Sequence, residues 1–154
     1  RSIGLSGGGW TTNLAAAMDT RIVASYNVGG SIPFYLQVRN YDWVAGSEGG
    51  RPVEFYRAAN YLELYVLDST GSDPSGCPRC HRQIINLQDP VCCGGPRFET
   101  YASVVEAKAA AFGGDFRAVA FPEKQHRVSP DALRFIVRDI QEVVDARPAA
   151  QAGR

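Results

Sequence analysis

The chain has 154 residues, which is enough for one domain with a sizeable core. Its 16 Lys and Arg residues balance its 16 Asp and Glu residues, and hydrophobic residues make up 45% of the sequence. A chain without net charge lacks the basic surface that attracts nucleic acids and anionic membranes, and no apolar run is long enough for a transmembrane helix. We therefore expect a globular domain with neither kind of partner.

Strand-like and helical segments alternate along the whole chain. The predicted elements are a strand at 2–5, a helix at 7–18, a strand at 20–28, a helix from Pro52 to about Leu67, a strand at 82–87, a helix from Pro96 to about Phe112, a strand at 116–121 and a helix opened by Ser129 and Pro130. Prolines suit the first position of a helix, and β-branched and aromatic residues favour strands. Residues 31–50 are irregular and rich in aromatic residues.

Strands that alternate with helices imply right-handed crossovers and a parallel sheet covered on both faces. We therefore predict an α/β fold, a three-layer sandwich with a mostly parallel sheet of about four strands, over residues 1–146. Residues 147–154 are expected to form a flexible tail. Because the chain opens directly in a strand, we expect either further strands upstream or a sheet completed by a second copy in a homodimer.

Ser6 lies in the stretch IGLSGGGW, where Gly4 and Gly8 flank it in the pattern Gly-x-Ser-x-Gly. A strand is predicted to end just before this serine and a helix to begin just after it, as a nucleophile elbow requires. The glycines allow the sharp turn without side-chain clashes. The N–H of Gly7, at the helix start, is then a candidate donor to an oxyanion. The alternative is a serine in a flexible glycine-rich loop.

A serine nucleophile needs a histidine base and an acid that orients the base. His126 follows the last predicted strand, and Asp89 follows the strand before it. Together with Ser6 they would share the carboxyl edge of one parallel sheet, where ligands bind in such folds. Otherwise Asp89 is a turn residue and His126 a surface-loop residue. The rival acids are Asp42, Glu99 and Glu123.

These segments resemble the α/β-hydrolase superfamily, specifically the C-terminal half of its fold, over roughly residues 2–145. GLSGGGW followed by AAAMDTRIVASYNVGG is similar to the elbow, helix and next strand of bacterial esterases related to acetyl xylan esterases and dienelactone hydrolases. INLQDPVCCGG and EKQHRVSPDAL are similar to the acid and histidine segments. The resemblance implies a serine hydrolase that cleaves small carboxylic esters through an acyl-enzyme and needs no cofactor.

In that resemblance Ser6 attacks the ester, His126 relays the proton, Asp89 orients His126 and Gly7 donates to the oxyanion. Residues 1–154 hold no counterpart of the first strands of the family or of the loop that supplies a second oxyanion donor, and we expect a weaker oxyanion hole on this account. Losing one such donor costs on the order of 100- to 1000-fold in rate. The alternative function is therefore a truncated, catalytically poor domain that self-associates or binds a partner through an exposed strand edge.

Aromatic residues near the elbow are the candidates for substrate contacts. Trp10 follows the serine by one helical turn, and Phe34 and Tyr35 belong to the aromatic stretch 31–43, which is a candidate lid or acyl pocket. Such aromatics otherwise belong to the core.

The cysteines suggest a second kind of site. Cys77 and Cys80 precede His81 in the pattern C-x-x-C-H, which is typical of haem attachment and of half a zinc site. Adjacent ligands such as Cys92 and Cys93 suit zinc poorly, and nothing marks a second haem ligand, so we predict no metal. In an oxidising compartment we expect a disulfide that joins Cys77 or Cys80 to Cys92 or Cys93. Otherwise all four are free thiols.

Overall fold

The structure, a computed structural model, describes residues 1–37, 53–73 and 76–151. Its elements are β1 (Ser2–Leu5), α1 (Gly7–Met18), β2 (Ala24–Val28), α2 (Val53–Ala58), α3 (Tyr61–Ser69), β3 (Cys80–Asn86), α4 (Ala102–Ala111), β4 (Asp115–Phe121) and α5 (Pro130–Gln151), with 3-10 turns at Phe34–Leu36 and Pro96–Thr100. The described strands form one sheet in the order β1-β2-β3-β4, and every neighbouring pair is parallel. The predicted α/β fold is confirmed.

Helices cover both faces of this sheet. On one face, Tyr26 of β2 and Ile84 of β3 pack against Ile136 of α5. On the other face, Phe116 of β4 packs against a cluster from α3 and α4 that includes Tyr65. Successive strand residues point to opposite faces, and β2 and β3 are buried at every position because both faces are covered.

The helix predicted from Pro52 to about Leu67 is in fact two helices, α2 and α3. Asn60 starts the second one, because its Oδ1 accepts the N–H groups of Leu62 at 2.9 Å and Glu63 at 3.3 Å. The Glu63 carboxylate in turn accepts the N–H of Asn60 at 2.8 Å. This capping box satisfies donors that a new helix leaves free, and it therefore marks a helix start. Pro52 itself lies outside the described residues.

α5 begins as predicted and ends later than predicted. Ser129 caps it, since its hydroxyl accepts the N–H of Ala132 at 3.1 Å. The helix then continues to Gln151, into the segment 147–154 that the sequence assigned to a tail. Residues 152–154 lie outside the described part. No described helix, α5 included, is long and apolar enough to cross a membrane.

Candidate active site

Ser6 occupies the junction between β1 and α1 in a backbone conformation that is rare outside glycine. Its φ is 56° and its ψ is −125°, which costs a non-glycine residue about 1–3 kcal/mol. The Ser6 N–H donates to the carbonyl of Val28 at 2.9 Å, which extends the pairing of β1 with β2 up to the turn. Serine at a helix start usually caps the helix, but the Ser6 side chain makes no capping hydrogen bond. Its hydroxyl is therefore not committed to holding the helix.

The turn after β2 packs closely on this junction. A Cβ placed on Gly30 would lie only 2.6 Å from the carbonyl oxygen of Ser6 and 2.6 Å from the backbone nitrogen of Trp10. Asn27 Oδ1 accepts the N–H of Gly30 at 2.9 Å and holds the turn in place. Only glycine allows two backbone segments to approach this closely, so Gly30 helps to fix the position of Ser6.

Asp89 and His126, which are predicted to act together, are in direct contact. Nδ1 of His126 lies 2.6 Å from Oδ2 of Asp89. The Asp89 side chain is fully buried and the His126 side chain is 16% exposed. With Nδ1 engaged, Nε2 is the free nitrogen of the ring: it is buried and has no hydrogen-bond partner among the described residues. The imidazole is thus oriented by a carboxylate on one side and available for a proton on the other.

The second oxygen of the Asp89 carboxylate is also held. Oδ1 accepts the backbone N–H of Val91 at 2.8 Å and that of Cys92 at 3.3 Å. These bonds close a tight turn directly after β3 and fix the carboxylate relative to the backbone. Asp89 therefore fills the turn role that the sequence left open as an alternative, and it also contacts His126.

Gly29 connects the serine region with the His126–Asp89 pair. A Cβ on this residue would lie 3.5 Å from Asp89 Oδ2 and 3.5 Å from His126 Cε1. Gly29 directly follows Val28, whose carbonyl accepts the N–H of Ser6. Although His126 follows β4, its ring thus reaches back over the end of β3 to the end of β2, the strand that pairs with β1. In the sequence, Gly29 only follows the predicted strand at 20–28, and no local pattern indicates its contact with His126.

Gly7 is the first residue of α1, so its N–H has no acceptor within the helix. No acidic residue lies in the first turn of α1, and the positive end of the helix dipole is therefore not offset there. The N–H of Gly7 fits the predicted role of a donor to an anion formed beside Ser6.

The three predicted substrate-contacting residues differ in their surroundings. Trp10 is half-buried, and its indole N–H donates to the hydroxyl of Tyr56 at 2.8 Å. The ring of Phe34 packs edge-on against Tyr56 with a centroid distance of 4.8 Å and is 42% exposed, while Tyr35 is 63% exposed. Trp10 and Phe34 thus meet on Tyr56. The rest of the aromatic stretch from residue 38 onward lies outside the described residues.

The predicted disulfide between the two cysteine pairs is wrong. Cys92 and Cys93 are bonded to each other, whereas Cys77 and Cys80 are free and buried thiols. Cys80 is the first residue of β3 and Cys92 and Cys93 follow its other end, and a strand of seven residues spans roughly 20 Å. A disulfide requires Cα atoms within about 7 Å of each other, so β3 prevents the predicted bond.

His81, the other histidine, belongs to the core. Its ring is fully buried and packs against the rings of Tyr65 and Phe116, with centroid distances of 5.8 and 5.7 Å. Nδ1 lies 2.7 Å from Ser25 Oγ and 3.1 Å from Asp68 Oδ2. Burial lowers the pKa of His81 to about 3 and raises the pKa of Asp68 well above 3.8. Sequence reasoning missed this second Ser–His–Asp grouping, whose three side chains have no exposed surface for a substrate.

The two rival acids that the structure describes are not paired with His126. Glu99 is exposed, Glu123 accepts the N–H groups of Lys124 and Gln125, and Asp42 lies outside the described residues. Within the described part of the chain, no group of three or more His, Cys, Asp or Glu side chains could hold a metal ion.

No protein-family model matches the chain, and no curated protein matches it significantly. The assignment of function therefore depends on the geometry described above and on the motifs of the sequence.

Proposed function

We propose that this protein is a serine hydrolase that cleaves carboxylic esters of small molecules through an acyl-enzyme intermediate. The observation that carries the proposal is the 2.6 Å contact between His126 Nδ1 and Asp89 Oδ2, combined with a buried and unpartnered Nε2. A histidine with one nitrogen held by a carboxylate and the other free is the arrangement that a general base requires. The strained turn at Ser6 supports the choice of nucleophile.

In the proposed reaction, the Ser6 hydroxyl oxygen attacks the carbonyl carbon of the ester, and its proton passes to Nε2 of His126. Asp89 holds the Nδ1–H and stabilises the imidazolium that forms. The negative charge on the carbonyl oxygen is stabilised by the N–H of Gly7. Nε2 then gives its proton to the departing alcohol. Water, activated by the same histidine, hydrolyses the acyl group from Ser6 and restores the enzyme.

The test is an intact-mass measurement of the purified protein before and after exposure to a fluorophosphonate probe. The probe forms a bond from phosphorus to the serine oxygen and releases fluoride, but only at an activated serine. We expect one adduct, which peptide mapping places on Ser6. Ser6→Ala should abolish the adduct and His126→Gln should slow it strongly, whereas Ser103→Ala, at an exposed serine on α4, should not change it.

An unlabelled, folded protein of the expected mass would contradict the proposal. It would favour the second candidate, a domain without turnover that self-associates or binds a partner. Among the described strands β1 pairs on one side only, and Ile3 on this strand is 49% exposed. In that case we expect a dimer in size-exclusion chromatography that Ile3→Lys disrupts. A monomer that is also unlabelled would contradict self-association.

A further inference from the structure

Asn86 ends β3, three residues before Asp89, and its side chain is almost completely buried at 1% exposure. Its Nδ2 donates two hydrogen bonds, to the carbonyl of Gln125 at 3.0 Å and to the carbonyl of Arg127 at 2.8 Å. These two carbonyls stand on either side of His126 in the chain. A single amide group therefore holds the backbone on both sides of the histidine.

The orientation of this amide follows from its neighbours. Carbonyl oxygens only accept hydrogen bonds, so the NH2 group must face Gln125 and Arg127. The Oδ1 atom of Asn86 is buried and has no hydrogen-bond partner among the described residues. The two donors of the amide are thus both engaged by the backbone on either side of His126.

Asn86 also contacts the loop that carries the acid. Its backbone carbonyl accepts the N–H of Asp89 at 3.1 Å. The main chain of Asn86 thus positions Asp89, and its side chain positions the backbone around His126. Both contacts come from one residue of a buried strand, so the loop of Asp89 and the loop of His126 are tied to the same point of β3.

The other support of the histidine loop is of a different kind. Glu123 accepts the backbone N–H groups of Lys124 and Gln125 and pairs with the guanidinium of Arg127 at 2.9 Å. The Arg127 side chain is half-exposed, so salt and water weaken this pair. Asn86 contacts the loop from its buried side, where salt and water do not compete with its hydrogen bonds.

We propose that Asn86 is a positioning residue for the reaction: it holds the His126 loop so that Nδ1 remains on Asp89 and Nε2 stays free to accept the proton of the reacting serine. The proposal rests on the proposed hydrolase function. A displacement of about 1 Å in a catalytic group can cost on the order of 100-fold in rate. Substrate binding is not expected to depend on Asn86, because its side chain is buried beneath the loop.

The experiment compares Asn86→Ala with Asn60→Ala, using hydrolysis of p-nitrophenyl acetate and the rate of fluorophosphonate labelling. Asn60 is also an asparagine whose side chain bonds to backbone, but it caps α3. It therefore controls for a general loss of stability. We expect Asn86→Ala to lower kcat and the labelling rate by up to about 100-fold with little change in KM, and Asn60→Ala to leave both rates near those of the wild type. Asn86→Ser keeps one donor and should give values of kcat and of the labelling rate between those of Asn86→Ala and the wild type. This variant replaces Asn86→Ala if the latter does not fold.

A proton NMR measurement separates failure of this proposal from failure of the proposed function. The Nδ1–H of His126, bonded to Asp89, should give a strongly downfield resonance in the wild type that His126→Gln removes. We expect this resonance to broaden or move upfield in Asn86→Ala and to stay in Asn60→Ala. Unchanged rates together with an unchanged resonance in Asn86→Ala would overturn the positioning role. A wild type that neither reacts with the probe nor hydrolyses the ester would overturn the hydrolase proposal, and the positioning role in the reaction would fall with it.

Discussion

Gly4 and Gly8, the two glycines that flank Ser6 in the sequence motif, are not equivalent in the structure. A Cβ on Gly4 would overlap the backbone carbonyl of Gly8 at the start of α1. A Cβ on Gly8 would have no atom within 4 Å. Of these two glycines, only Gly4 is required by the close approach of β1 to α1.

We expect Gly4→Ala to lower the free energy of unfolding by about 3 kcal/mol, the upper end for an overpacked site, because the clash is with backbone atoms that cannot rotate away. Gly8→Ala should raise the free energy of unfolding by roughly 0.5–1 kcal/mol, since alanine is the better helix former. Urea unfolding of both variants measures the difference. Equal destabilisation by the two substitutions would show that the β1–α1 contact is not as described.

The assignment of Asp89 as the orienting acid predicts a large kinetic effect from a small chemical change. Asp89→Asn preserves the shape of the side chain but cannot stabilise an imidazolium. We expect kcat for ester hydrolysis to fall on the order of 10,000-fold while the urea midpoint changes little. Glu99→Gln, at the exposed rival acid, is the matched control and should keep full activity. A comparable loss in Glu99→Gln would contradict the assignment.

The buried pair of His81 and Asp68 predicts two opposing contributions to the pH dependence of the free energy of unfolding. The pKa of His81 is 6.5 ordinarily and about 3 in the folded protein, because burial disfavours the charged imidazole. Between these values the unfolded state binds the extra proton, so His81 alone makes stability fall as the pH drops below 6.5. Burial raises the pKa of Asp68 well above 3.8, so the folded state binds the extra proton there. Asp68 alone therefore makes stability fall as the pH rises above 3.8.

The two contributions have opposite signs in the same pH range, and we expect them largely to cancel in the wild type. Asp68→Asn should expose the histidine contribution, a loss of stability of up to about 1.4 kcal/mol per pH unit on acidification from about pH 6 to pH 4. His81→Gln should expose the contribution of Asp68, a free energy of unfolding that falls as the pH rises. The nearby charges of Arg79 and Arg82 remain constant over this range. Urea unfolding at several pH values tests the pair, and parallel stability curves for the three proteins would contradict it.

Phe34 and Trp10 meet on Tyr56 near the elbow, which leads us to expect that they shape the substrate pocket. Phe34→Ala should shift the ratio of kcat/KM values for p-nitrophenyl acetate and octanoate by roughly tenfold, the scale expected for hydrophobic pocket contacts. Trp10→Ala should shift the ratio as well. Phe112→Ala, which removes a 52%-exposed ring at the end of α4, is the control. An unchanged ratio in both pocket variants would show that these aromatics do not contact the substrate.

Much of the architecture follows from short-range patterns. The residue types of each strand and the turn residues after it are local signals, and they correctly predicted the four strands and the loops that carry Ser6, Asp89 and His126. The break between α2 and α3 was missed although it too is local, because Asn60 and Glu63 form a capping box that can be recognised in the sequence.

The contacts that give the site its geometry are of another kind. Gly29 beside His126, the amide of Asn86 on the carbonyls around His126, and Asp68 beside His81 join residues far apart in the chain. The separation of the cysteine pairs by β3 is equally a result of folding. By itself the sequence determined which segments become strands and helices and which chemically active residues follow each strand, because those choices depend on neighbours along the chain. Only the tertiary structure decided which of these residues meet, because that depends on the order of strands in the sheet and on how closely the turns at its edge can pack.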